Sequence, residues 1–481
     1  MTARNVVVLG YGMAGARLAD EIRNRDPEGT RVALTIVGEE THPAYNRVLL
    51  SSVVAGTMRP ETVLLQDGNW AEQRGVTLRK GLSATGIDRG RRRVTLSDGS
   101  TVDYDALVLA TGSKPWLPPV EGLAGDDGTP SDGVVAFRTL DDCARILDAA
   151  EIGAPVAVLG GGLLGLEAAR GLAGRGNLVT VVHPVGHLME RQLDAGAGRV
   201  LARTLRGHGI DFRFGTSAAG YVPGDGLKLD DGSHLPADLV VVSAGVRAQT
   251  ALAADAGIAV DRGVLVDDAL RTSDARVHAI GDCAQHPGTV SGLVRPAWDQ
   301  AGVLADLLTG TNAAARYCGT SVVTRLKARD VDLAAFGETQ VDVADETAEV
   351  VCVDDSKRGR YAKLVVRDDR VAGAILLGCP DAAATVTGLY DRGVPLPEDR
   401  LALLLGRALP PGAAPAASPA DLPGSAKVCQ CNSVTKARLV EAFRAGATSV
   451  PALATATRAT TGCGGCTDTV RGIADWLAST A

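Results

Sequence analysis

Aromatic residues are scarce in this sequence, 3% of 481 residues, and methionine is scarcer with four. A core of Ala, Val and Leu is therefore expected, and 58 glycines imply many tight turns and close backbone contacts. No apolar run nears the ~20 residues of a membrane-spanning helix, which argues against a membrane protein of that kind. A basic excess is missing too: the formal net charge is −7, which argues against a nucleic-acid partner. The opening VVVLG is too short, and too soon ended by glycine, for a secretory leader, so a cytoplasmic protein is expected. Five cysteines (Cys143, Cys283, Cys318, Cys352 and Cys379) stand singly, as suits a reducing compartment, and no Cys-x-x-Cys occurs before Cys429. The length implies about three domains.

What is present begins at residues 6–15, VVVLGYGMAG. A buried-strand run feeds into Gly10-x-Gly12-x-x-Gly15, and helix formers follow from Ala16 to Arg25. This strand–turn–helix pattern binds dinucleotides: Gly10 for the tight turn, Gly12 for approach to a pyrophosphate, Gly15 for helix–strand packing. Met13 and Ala14 open the helix, whose N–H groups and partial positive charge suit phosphate. A second strand at 32–37 ends in Glu39 and Glu40, and Glu39 lies 24 residues after Gly15, near the spacing of an acid that binds a ribose hydroxyl. Glu39 is the first choice for that role and Glu40 the reserve.

Strands are expected at 77–79, 82–88, 93–97 and 104–110, the last running into Ala110, Thr111, Gly112 and Ser113. Small residues there let backbone lie against a ligand. The glycine pattern then restarts. A strand at 156–159 leads into Gly160-Gly161-Gly162-Leu163-Leu164-Gly165, and a helix at 166–173 carries Glu167. Two such units imply two dinucleotides. The strand at 178–182 ends in His183, neither the acid that favours NAD nor the arginine that favours a 2′-phosphate. The absence of a basic cluster leans toward NADH. His183 and His187 are four apart, but Pro184 and Gly186 deny them the helix that a metal pair needs. A strand at 237–243 leads into Gly245, and one at 277–279 into Ile280-Gly281-Asp282-Cys283-Ala284.

These motifs in this order, GxGxxG, ATG-S, GGGxxG and AIGDCA, resemble the pyridine-nucleotide–disulfide reductase-like flavoproteins over about residues 5–310. The resemblance implies a glutathione-reductase-like α/β fold of two Rossmann-like domains. FAD is expected in a domain split between 1–115 and 261–312, and NAD(P)H in one at 116–260. Gly281 and Asp282 would face the ribityl or pyrophosphate region. Arg47 is read as a partner of phosphate or the flavin edge, with a solvated arginine as the alternative, and Ser51 is taken as cofactor-binding. No thiol stands where relatives carry a redox cysteine near the flavin, and Cys283 is expected to pack rather than react. Electrons must leave by another route, and no acid–base catalyst is named.

Alternating apolar stretches between 331 and 377 read as an antiparallel sheet in an α+β domain at 313–408. It resembles the C-terminal domain of rubredoxin-reductase-like flavoproteins, which implies a cover over the flavin or a homodimer contact. Lys327 is read first as a surface lysine, with reach to the flavin as the alternative. Residues 409–425 hold five prolines and read as a semi-stiff tether, placed at 409–426.

The tail at 427–481 carries Cys429-x-Cys431 and Cys463-x-x-Cys466 around two short helical patterns, the first with Ser433 as its cap. Four thiolates on two turns suit zinc or an iron–sulfur cluster. The segment resembles the bacterioferritin-associated-ferredoxin-like [2Fe–2S] domain, and all four ligand positions match. A small helical [2Fe–2S] domain is therefore expected.

The whole order also resembles the N-terminal half of the large subunit of assimilatory NAD(P)H-nitrite reductase, through residues 43–52 and 188–194. That implies electron transfer from NAD(P)H through FAD and the cluster to the catalytic subunit of a nitrate or nitrite reductase. Two other readings stand beside it: a general NADH:ferredoxin or rubredoxin reductase, and a redox-sensing docking module.

Overall fold

The computed structural model describes residues 3–406, 419–429, 432, 434–461 and 465–480. Its first sheet is parallel and five-stranded, in the order Val277–Ala279, Ala106–Leu109, Arg4–Leu9, Val32–Gly38, Thr77–Lys80. A parallel sheet buried on both faces takes continuous apolar strands rather than alternating ones. Arg4–Leu9 has that form, with Val6, Val7 and Val8 at most 1% exposed. The helix Met13–Arg25 leaves the glycine turn and packs against Val294–Thr309.

A second sheet repeats the arrangement: Val134–Ala136, Leu239–Val242, Pro155–Leu159, Leu178–His183, Ile210–Phe214, again all parallel. In both units the central strand leads into the glycine turn. In both, a three-stranded antiparallel meander precedes the strand that returns beside the centre. They differ in the source of the outermost strand. Val134–Ala136 precedes its glycine turn, whereas Val277–Ala279 arrives only after the whole second unit has been threaded. The first sheet is therefore split around the second.

The third unit is an antiparallel sheet ordered Val323–Arg325, Leu333–Gly337, Arg370–Leu377, Arg360–Arg367, Glu349–Asp355. One face packs Leu364 and Ala374 against Val386 and Leu389 of the helix Pro380–Arg392. Tyr361, Ile375 and Leu377 face the other way, into the core of the second nucleotide unit. This alternation is the period-2 pattern of strands that serve two cores.

The tail packs Lys436–Arg444, Val450–Thr457 and Thr467–Thr480 around Leu439, Leu453, Val470 and Ile473, all fully buried. Ser433, the expected cap, lies outside the described residues; Thr435 caps the first helix by accepting from the Arg438 N–H at 3.3 Å. Residues 409–418 of the expected tether also lie outside. From Pro419 onward the chain belongs to the tail module rather than to a spacer: the Lys436 ammonium donates to the Leu422 carbonyl at 2.8 Å, and the Ala437 N–H to the Gly424 carbonyl at 2.8 Å. No helix among the described residues is long and apolar enough to cross a membrane.

Candidate functional site

The first glycine turn shows which of its glycines serve the fold and which serve a ligand. Gly10 adopts φ +115°, and a Cβ there would lie 2.1 Å from the Ala110 carbonyl oxygen. A Cβ on Gly15 would lie 1.9 Å from the Gly10 carbonyl oxygen. At Gly12 the nearest atoms would be those of the Arg47 guanidinium, 3.9 Å away. No side chain caps the helix Met13–Arg25 at Gly12, so its first N–H groups are left for an anion.

The turn opens into a cavity of about 2750 Å³ that Gly10, Gly12, Met13 and Ala14 line. Glu39 and Glu40 stand at its rim, at the end of Val32–Gly38. Glu40 is already engaged: the Tyr45 hydroxyl donates to it at 2.5 Å, and Arg47 pairs with it. No hydrogen-bond partner holds Glu39 among the described residues, which leaves it free for a ribose. Arg47 reaches the cavity from a 3₁₀ turn, Arg47–Leu49, that Asn46 caps through the Val48 N–H at 3.0 Å.

On the far wall Ala110, Thr111 and Gly112 meet Gly281 and Asp282. The Asp282 carboxylate accepts from the Arg138 guanidinium at 2.7 Å and from the Ser113 hydroxyl at 3.0 Å. Arg138 carries no sequence signal, because its partner lies 144 residues away. Cys283 is fully buried, its Sγ donates to the Ile280 carbonyl at 3.3 Å, and burial pushes its thiol up, so it packs.

Leu163, Leu164 and Glu167 reach the same cavity from the start of the helix Leu163–Gly174. Ser51 does not line it. Its hydroxyl is 3% exposed as a residue and donates to Glu167 at 2.8 Å. The Lys327 N–H donates to the other Glu167 oxygen at 3.0 Å. Burial pushes the Glu167 carboxyl above its ordinary value, against the nearby Lys327 charge. Lys327 is not the surface lysine expected from sequence: it lines the cavity, and its ammonium donates to the Val48 carbonyl at 3.2 Å.

The second glycine turn copies the first. Gly160 adopts φ +119° with a Cβ position 2.3 Å from the Ser243 carbonyl oxygen, and Gly165 would clash with the Gly160 carbonyl at 2.2 Å. Gly162 has nothing within 4 Å and no side-chain cap over its helix. Gly245 is equally open. These four glycines are not among the residues that line the large cavity.

The tail module sits against the first unit. The Asn46 amide donates to the Thr461 carbonyl at 2.6 Å, Arg17 donates to the Asn432 amide oxygen at 2.9 Å, and Arg458 pairs with Asp20. Thr457, Arg458, Thr461, Gly465 and Thr467 line the same cavity as Gly12 and Asp282. Cys429 and Cys466 are 0% and 6% exposed in the module's core, and the Asn432 amide donates to the Cys429 sulfur at 3.7 Å. Cys431 and Cys463 lie outside the described residues.

The residues fit the groups that the motifs imply. The cavity exceeds the ~300–1,000 Å³ of ordinary ligand pockets, as an extended dinucleotide requires. Gly12 and Gly162 stand open at two uncapped helix starts, as a pyrophosphate needs, and the buried thiols of Cys429 and Cys466 suit an iron–sulfur cluster.

A family model described as pyridine nucleotide-disulphide oxidoreductase matches residues 4–301. One for the rubredoxin NAD+ reductase C-terminal domain matches 323–390, and one for a BFD-like [2Fe-2S] binding domain matches 427–476. The chain is 34% identical to the assimilatory nitrate reductase electron transfer subunit of Bacillus subtilis over 472 residues, covering 97% of this chain and 59% of that protein. It is 34% identical to the nitrite reductase [NAD(P)H] of the same organism over 471 residues, covering 97% and 57%. The chain thus spans under three-fifths of the length of these relatives. The covalent putidaredoxin reductase–putidaredoxin complex contains a chain that superposes with a TM-score of 0.73 at 26% identity, over 82% of this chain and 95% of that one.

Proposed function

This chain belongs to the pyridine nucleotide-disulphide oxidoreductases, and from that premise we propose that it carries electrons from NAD(P)H through FAD and a [2Fe–2S] cluster to a separate nitrate- or nitrite-reducing protein. The observation that carries this reading is the shared cavity: residues flanking the cysteine turn, Arg458, Thr461 and Gly465, line the same space as Gly12 and Asp282. The bound groups supply hydride acceptance at the flavin and one-electron carriage at the cluster.

The protein's part is to hold and orient. Gly12 and the first helix N-terminus receive the FAD pyrophosphate, Glu39 its adenosine ribose, and Asp282 its ribityl end. Arg138 and Ser113 fix the Asp282 carboxylate against solvent. Gly162 and the second helix N-terminus receive the nicotinamide nucleotide. Glu167, held by Ser51 and Lys327, reaches the cavity from that second helix and would face the bound groups there. Asn46, Arg17 and Asp20 seat the cluster module over the same space.

An anaerobic titration with NADH, then NADPH, followed by absorption and EPR, tests the order. Flavin bleaching followed by a [2Fe–2S] signal is expected. Cys463→Ser should keep the bleaching and lose electron delivery to a nitrate or nitrite reductase partner. Undiminished delivery by that variant would overturn the route through the cluster. Equal delivery to many small carriers, with none to such a partner, would favour a general ferredoxin or rubredoxin reductase.

A further inference from the structure

The strand after the second glycine turn ends in His183, where a carboxylate normally selects NAD. The structure supplies the missing acid from further along the chain. His183 is 5% exposed and lies against the turn, so that a Cβ on Gly161 would come within 2.8 Å of its ring. The Gly161 N–H donates to His183 Nδ1 at 3.2 Å. A ring that accepts at Nδ1 carries its proton on Nε2, and His183 Nε2 lies 3.1 Å from Glu190 Oε2. The segment bearing Glu190 is pinned to the same turn a second time, by the Met189 N–H donating to the Gly161 carbonyl at 3.0 Å.

Burial pushes His183 below its ordinary value, against the pull of Glu190, so the ring stays neutral. Glu190's side chain is 34% exposed, and no lysine or arginine among the described residues pairs with it. A charged acid therefore stands one imidazole beyond the strand end, beside the turn that takes the pyrophosphate.

We infer that Glu190, positioned by His183, binds the adenosine 2′- and 3′-hydroxyls of the nicotinamide nucleotide and makes the protein selective for NADH over NADPH. This rests on the reading of the second unit as the nicotinamide site. A free 2′-hydroxyl donates to the carboxylate, whereas a 2′-phosphate meets it charge against charge. A purely structural His183–Glu190 pin would contribute to stability and leave the two nucleotides undiscriminated.

Calorimetric titration of the full chain with NAD+ and NADP+ reads binding directly, beside flavin bleaching rates with NADH and NADPH. The wild type is expected to bind NAD+ at least about tenfold tighter than NADP+. Glu190→Gln should narrow that ratio to about threefold or less at an unchanged melting temperature, and Glu190→Arg should invert it. His183→Ala, which keeps the acid but frees it, should also narrow the ratio. Equal wild-type affinities, or an unchanged ratio in Glu190→Gln, would overturn the assignment. Binding and bleaching by neither nucleotide would overturn the nicotinamide reading itself, and the assignment with it.

Discussion

Gly160 and Gly162 stand two residues apart in one turn, yet substitution should harm the protein in different ways. Alanine at Gly160 must adopt φ +119° and drive its methyl into the Ser243 carbonyl, so Gly160→Ala should cost about 2 kcal/mol or more of stability, read as a fall in melting temperature. Alanine at Gly162 meets nothing within 4 Å, so the melting temperature should hold while affinity for the nicotinamide nucleotide falls about tenfold or more, read by calorimetry. Both glycines were legible in the sequence because the strand–glycine turn–helix pattern runs over consecutive residues. Arg138, Lys327 and Glu190 were not. Arg138 meets Asp282 across 144 residues and Lys327 meets Glu167 across 160, and no local pattern records such pairings. Glu190 is only seven residues from His183, but the intervening chain follows no helix or strand period that would bring them together.

At the scale of elements, the strands easiest to read are those buried on both faces. Arg4–Leu9, Val32–Gly38 and Pro155–Leu159 each lie within about two residues of their expected bounds, since continuous apolar runs ended by glycine admit few alternatives. The edge strand Val134–Ala136 and the helix Ala195–Arg206 escaped notice. The first is three residues long, and the second hides its apolar stripe among Gly196, Gly198 and three arginines. That helix nonetheless joins two units. Asp194 caps it through the Ala197 N–H at 2.9 Å and accepts from Lys363, 3% exposed, at 2.8 Å and from the Tyr361 hydroxyl at 2.8 Å. Asp194→Ala removes the cap and leaves a buried ammonium, so a loss of about 3–5 kcal/mol is expected in urea unfolding. Burial alone would raise the Asp194 carboxyl, but the Ala197 N–H, Lys363 and Tyr361 bring it below its ordinary value. Its contribution is therefore full above the unfolded carboxyl range and fades as the pH falls through the lower folded value. The variant's stability should accordingly depend less on pH in acid than the wild type's.

On the scale of the whole molecule, the four-unit order was legible because two units open on glycine turns, the third shows apolar alternation and the tail carries paired cysteines. The seating of the tail was not, because Asn46, Arg17 and Asp20 lie on the first unit and carry no pattern of their own. Arg458→Ala removes the cation that pairs with Asp20, which is 9% exposed. A charged hydrogen bond of about 1.5–3 kcal/mol is at stake. Stopped-flow measurement should show electron arrival at the cluster slowed by about tenfold, with flavin reduction by NADH unaltered. An unchanged arrival rate would show that this pair does not govern the approach.

The split first sheet also sets a timetable for the newborn protein. Val277 follows Leu9 by 268 residues, and ribosomes add roughly 5–20 residues each second. The opening strands therefore wait roughly a quarter-minute to a minute for the partner that completes their sheet. The inserted unit needs no such wait, because all five of its strands emerge between Val134 and Phe214 or return by Val242. The segment synthesised first thus closes after the unit inserted into it, and its parallel edge beside Ala106–Leu109 is a surface that a chaperone would shelter during translation.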